Sequence, residues 1–99
     1  MAGNIKQAEQ SGFEGLVEAL CHIRLPEEMK QFLAEILTPA ELHDLSLRWQ
    51  LMRMLSERVP QRQIASDLKI SLCKITRGSK ILKNPDSITN RYLKKRSSQ

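Results

Sequence analysis

Aromatic side chains are scarce in this chain: two phenylalanines, one tryptophan and one tyrosine in 99 residues. Proteins that stack unpaired bases need such rings, so single-stranded nucleic acid is a poor candidate partner. Cysteine is nearly absent. Cys21 and Cys73 lie far apart, with no His or Cys at metal-ligand spacing. Two reduced thiols are expected, and neither a disulfide nor a metal site. Glycine and proline occur four times each, while Leu, Glu, Lys, Met, Gln and Ala are common. That balance favours an all-α protein. No apolar run approaches a membrane span, and the opening MAGNIKQAEQ lacks the apolar core of a signal peptide. A cytoplasmic protein with no membrane partner is expected. The chain has no phosphate loop, nucleophile elbow or HExxH, and its two histidines stand without partners. No enzyme is expected.

Charge is plentiful but uneven. Residues 1 to 57 hold five Lys/Arg against nine Asp/Glu, a net −4. Residues 58 to 99 hold eleven against two, Asp67 and Asp86, a net +9. A basic half of this kind points to a polyanion at one end of the molecule, with duplex DNA favoured. A helical bundle that merely binds other proteins leaves that asymmetry unexplained.

Taken in order, residues 1 to 10 are polar and uncapped and are expected to form a disordered arm. Phe13, Leu16, Val17, Leu20 and Ile23 then recur at three- and four-residue steps, the pattern of an amphipathic helix from Ser11 to Arg24. His22 is expected at its surface or as a cap. Pro26 suits the first turn of a second helix, with Glu27 and Glu28 at its positive end and Met29, Phe32, Leu33 and Ile36 as its apolar face. Thr38-Pro39-Ala40-Glu41 reads as a capping box. The helix it opens is expected to run to about Arg58. That helix is apolar on two sides. Leu42, Leu45, Trp49, Met52 and Leu55 form one stripe, and Leu47, Leu51 and Met54 the other. A helix buried on two sides in so short a chain suggests a second subunit. Arg48 lies amid these stripes; by itself it reads as a snorkelling side chain.

The most informative stretch is Gln61 to Lys80, QRQIASDLKISLCKITRGSK. Ile64, Ala65 and Leu68 have the spacing of one buried face, Ile70 can plug a turn, and Ser71 can cap a second helix on which Ile75 continues the face. This is a helix-turn-helix pattern. Its second helix leaves Leu72, Cys73, Lys74, Thr76, Arg77, Lys80 and Lys83 outside, a basic, hydroxyl-bearing surface suited to a major groove. A helical hairpin with a solvated basic face is the plainer alternative. Lys69 stands where such turns often carry glycine. A left-handed lysine there costs about 1 kcal/mol relative to glycine. After Asn84-Pro85-Asp86-Ser87 a last helix uses Ile88, Tyr92 and Leu93, and residues 94 to 99 form a basic tail expected to fray. Residues 11 to 93 are thus expected to be a single domain.

From Leu37 onward the chain resembles the tryptophan repressor family. The resemblance rests on Leu37-Thr38-Pro39, Glu41, Leu45, Arg48, the Gln61-Arg62 start and above all Ile75-Thr76-Arg77-Gly78-Ser79 followed by Leu82-Lys83. It covers roughly residues 30 to 93. It implies an intertwined, all-α homodimer of six helices per subunit, with no metal. It also implies that L-tryptophan binds as corepressor between the central helix and the helix-turn-helix. By motif position Arg77 would hold the ligand carboxylate, aided by the Thr38 hydroxyl, while Arg48 would stack on the indole. Gly78 would let the ring approach the helix backbone, and Met52 and Ile81 complete the expected ligand set. Docking of such dimers on paired half-sites, and water-mediated base contacts, are established for this family.

Two features depart from the family's pattern. Ile81 stands where a serine usually lies near the ligand's amino group, so loss of that amine should matter less here. The segment between the central helix and the helix-turn-helix is about one residue shorter than usual. On the DNA side, Ser71, Leu72 and Cys73 would lie nearest the base edges. Gln61, Arg62, Lys74, Thr76, Lys80 and Lys83 would touch phosphate or base. Cys73 could be a redox switch or a small apolar contact to a thymine methyl. The expected function is a tryptophan-dependent repressor on a palindromic operator. The alternative is a helix-turn-helix DNA-binding protein that is ungated or answers to another ligand.

Overall fold

The computed structural model describes residues 2–97, and side chains from residue 5 to residue 96. The described residues form six α-helices and no strand: α1 Ala2–His22, α2 Pro26–Ile36, α3 Pro39–Ser56, α4 Gln61–Leu68, α5 Leu72–Lys83 and α6 Ile88–Ser97. The chain divides into two compact units, Met1–Leu42 and His43–Gln99, where the sequence suggested one domain. The reason lies in the apolar faces of α1 and α2, which a single core would have absorbed. None of their described side chains is fully buried, and Phe13 remains 65% exposed.

In the first unit, α1 begins well before Ser11. Residues 2 to 10, read from sequence as a disordered arm, are helical; Met1 lies outside the described residues. Lys6, Gln7, Ala8, Glu9 and Gln10 are all good helix formers. Once the amphipathic segment nucleates, each added residue gains a hydrogen bond at little cost. His22 Nδ1 donates to the Glu18 carbonyl at 2.8 Å, the capping role expected of it. Pro26 opens α2 with Glu27 and Glu28 in its first turn. The capping box of α3 is complete. The Thr38 N–H donates to Glu41 Oε1 at 2.9 Å, and the Glu41 N–H to Thr38 Oγ1 at 3.1 Å.

In the second unit, α3, α4 and α5 share a core. Leu51, Ile64 and Ile75 are buried at its centre, the two isoleucines with 0% exposure. Met54, Leu55, Val59, Ala65, Leu68 and Ile70 surround them. Burial of each isoleucine contributes about 1.5–3 kcal/mol. The apolar spacing that suggested a helix-turn-helix is therefore the spacing of real packing. Helix α4 lies on α5, and α5 on α6. Ser71 caps α5 by accepting the Lys74 N–H at 3.4 Å, and Ser87 accepts the Asn90 N–H at 3.0 Å at the start of α6. Residues 94 to 97, expected to fray, continue α6, while Ser98 and Gln99 lie outside the described residues.

The ends of α3 and α4 are closed by the same device. Helix α3 stops at Ser56, two residues short of the expected Arg58, because Arg58 turns left-handed with φ 63°. The Arg58 N–H then donates to the Leu55 carbonyl at 3.1 Å and the Val59 N–H to the Met54 carbonyl at 3.0 Å. That is the Schellman arrangement, and it swings Val59 into the core. At the end of α4, Lys69 has φ 54° and ψ 48°, and the Ile70 N–H reaches the Ala65 carbonyl at 3.3 Å. Ile70 is thereby turned inward, as the sequence suggested. Both left-handed positions carry long cationic side chains where glycine would be unstrained, at a cost of order 1 kcal/mol each. Replacing Lys69 by glycine should therefore stabilise the fold by about 1 kcal/mol, measurable as a higher urea midpoint with unchanged slope. A lower midpoint would show that the left-handed turn is not strained.

Candidate effector pocket and DNA-reading face

Helices α3 and α5 meet closely at Gly78. A Cβ built there would lie 3.1 Å from both Leu55 Cδ1 and Met52 Sδ, and 3.5 Å from Leu51 Cδ2. Glycine inside a helix costs about 1 kcal/mol relative to alanine, and close helix packing gives it a reason. The sequence suggested ligand approach instead, so a bulky side chain at this position would disturb the seating of α5 as well as any ligand.

Elsewhere the same two helices leave a cavity of about 290 Å³, near the lower end of the ~300–1,000 Å³ range of small-molecule sites. Its walls follow helical periodicity. From α3 come Asp44, Leu47, Arg48, Leu51 and Met52; from α5 come Lys74, Arg77, Gly78 and Ile81; Ile70 of the turn completes the lining. Five of the six residues expected at the ligand thus share one cavity: Arg48, Met52, Arg77, Gly78 and Ile81. The sixth, Thr38, belongs to the first unit, where its hydroxyl serves the cap of α3.

The lining suits an apolar ring bearing an acid. Leucine, isoleucine and methionine offer a dry surface, and Arg48, Lys74 and Arg77 bring three cations to it. Both arginines are exposed, and among the described residues neither is held in an ion pair. A guanidinium fits a carboxylate in a fork and also lies flat on an aromatic face. The residues present therefore fit an indole-bearing amino acid.

Several lining residues escaped the sequence reading. Asp44 and Leu47 lie three to four residues before Arg48, and Leu51 three after it, on the same helical face. Lys74 was assigned to DNA, yet it lines the cavity, three residues before Arg77. The i±3 and i±4 neighbours of the two arginines would have found all four.

The residues expected to face DNA, Gln61, Arg62, Ser71, Leu72, Cys73, Lys74, Thr76, Lys80 and Lys83, are all exposed. Leu72 is 56% exposed, unusual for a leucine that opens a helix with no groove to enter. The Thr76 hydroxyl donates to the Leu72 carbonyl at 2.9 Å, leaving its oxygen to accept. Ser71 uses its oxygen in the cap and keeps its proton to donate. A second cavity lies between α3 and α6, where Trp49 and Tyr92 pack with ring centroids 5.8 Å apart and a 55° tilt. Among the described residues no group of three His, Cys, Asp or Glu could hold a metal ion, and no helix is long and apolar enough to cross a membrane.

Comparison with known proteins agrees with this architecture. A family model described as Trp repressor protein matches residues 11–97. The chain is 35% identical over 92 residues to a Trp operon repressor homolog of Xylella fastidiosa, covering 92% of this chain and 98% of that protein. It is 31% identical over 90 residues to a Trp operon repressor homolog of Chlamydia caviae, covering 90% and 89%. A homolog from Actinobacillus succinogenes is 43% identical over 58 residues, 58% of this chain and 57% of that protein. No solved structure matches the chain significantly. With the family model spanning nearly the whole chain over a helix-turn-helix seated on a central helix, the chain belongs to the Trp repressor family, a family of DNA-binding transcription regulators and not of enzymes.

Proposed function

We propose that this protein is a cytoplasmic, L-tryptophan-dependent transcriptional repressor that binds a near-palindromic operator as a homodimer. The observation that carries the reading is the presence of Arg48 and Arg77 in one cavity between the central helix and the reading helix. Two unpaired cations lining one cavity repel each other and weaken the hold of α5 on α3. Arg77 would bind a ligand carboxylate and Arg48 would cover a flat ring, so the two helices would be tied through the ligand. Met52, Gly78 and Ile81 would supply the apolar floor. Such a ligand favours whichever position of the reading helix lets both arginines engage, and DNA affinity rises by the same linkage.

The homodimer is supported by what the chain leaves open. Leu45 and Trp49 on α3 are 44% and 41% exposed, while Leu51 and Met52 on the other side of the same helix are buried. Light scattering at micromolar concentration should give about twice the 11.4 kDa chain mass. A folded monomer would remove the basis for paired half-sites.

An ungated DNA-binding protein is the second reading, and Ile81 favours it because no lining residue offers a hydroxyl to a ligand amine. Operator affinity with and without saturating L-tryptophan separates the two. Gating predicts a rise of roughly 5- to 150-fold, lost in Arg77→Ala while weak non-specific binding remains. Equal affinities in the unmodified protein would leave the ungated reading standing.

The DNA face makes its own demands. Half-site centres about one turn, ~34 Å, apart are expected for a two-fold dimer. Lys83→Ala should weaken binding to all sequences alike and flatten the salt dependence. Leu72→Ala and Thr76→Ala should change sequence preference. Uniform loss for all three would remove Leu72 and Thr76 from base reading.

A further inference from the structure

The polar content of the α3–α5 cavity is lopsided. Arg48, Lys74 and Arg77 are donors and cations, and every other lining side chain except Asp44 is apolar or absent. Asp44 is the only lining residue with a side-chain oxygen. On the α5 wall Ile81 has no acceptor, and the helical backbone there is committed to its own ladder. A ligand ammonium entering this cavity would otherwise meet three positive charges and nothing to receive its protons.

Asp44 is exposed and lies one helical turn before Arg48, on the same face of α3. A carboxylate four residues before an arginine commonly serves that arginine. Here, among the described residues, Asp44 is ion-paired with none. Its oxygens are therefore available in a wall whose remaining charges are all positive. A site for a plain acid has no use for such a group, because it repels the ligand. A site for a zwitterion needs one of each sign.

We propose that Asp44 accepts the ammonium of an α-amino acid effector and makes the cavity select the zwitterion over the corresponding acid. The proposal rests on the tryptophan reading above. It reverses what Ile81 alone suggests, that loss of the amine is well tolerated, because the hydroxyl missing from α5 is replaced by a carboxylate on α3.

Calorimetric titration of the full chain with L-tryptophan, indole-3-propionate and tryptamine tests it, using the unmodified protein, Asp44→Asn and Asp44→Glu. The unmodified protein should bind L-tryptophan roughly tenfold or more tighter than indole-3-propionate, since a charge-assisted bond is at stake. Tryptamine, a cation facing three cations, should bind weakest. Asp44→Asn should lose that preference by weakening L-tryptophan alone, while indole-3-propionate binds as well or better once the repelling charge is gone. Asp44→Glu should restore part of the preference. A loss shared equally by both ligands, or an Asp44→Asn variant that binds L-tryptophan unchanged, would overturn the proposal while leaving the tryptophan reading intact. Failure of the unmodified protein to bind any of the three would overturn both.

Discussion

The second unit depends on how the helix-turn-helix is seated on α3. Ile64 and Ile75, one from each helix of the motif, are buried together against Leu51 of α3. Gly78 then brings the α5 backbone near enough to Met52 and Leu55 that no side chain fits between them. That tight contact fixes α5 at one region. Around Arg48 and Arg77 the same two helices enclose a cavity. A site between a scaffold helix and a reading helix is thus a consequence of where the close packing ends.

Helix α5 carries two functions on two faces. Lys74, Arg77, Gly78 and Ile81, spaced at three and four residues, line the cavity. Cys73, Thr76, Lys80 and Lys83, spaced in the same way, are exposed beside Leu72. One short rigid element therefore joins the ligand-facing residues to those offered to DNA. Coupling between the two sites requires no long chain of contacts, only a change in how α5 rests on α3. The charge distribution serves the same end, since the basic half of the chain contains α4, α5 and α6.

Much of this was legible in the residues because it is local. The capping box at Thr38 and Glu41, the cap at Ser71 and the apolar spacing of Ile64, Ala65, Leu68, Ile70 and Ile75 each rest on contacts a few residues apart. The strained turn at Lys69 was readable for the same reason. What escaped depends on neighbours distant in sequence. The close approach at Gly78 is made by α3, more than twenty residues earlier. Asp44 and Lys74 look like solvated charges until the fold brings α3 and α5 together. The helical start of α1 was missed because residues 2 to 10 have neither a cap nor an apolar stripe, and only propagation from the following turns accounts for it. The division into two units was invisible because an apolar face in the sequence does not say which surface will cover it.

The central claim is that ligand binding firms the seating of the reading helix on α3. Amide hydrogen exchange of the full chain, with and without saturating L-tryptophan, tests this most directly, since exchange reports local opening element by element. The account predicts slower exchange with tryptophan across α4 and α5, with the largest gain around Arg77 and Gly78. Exchange in α4 and α5 that is unchanged by tryptophan would contradict it.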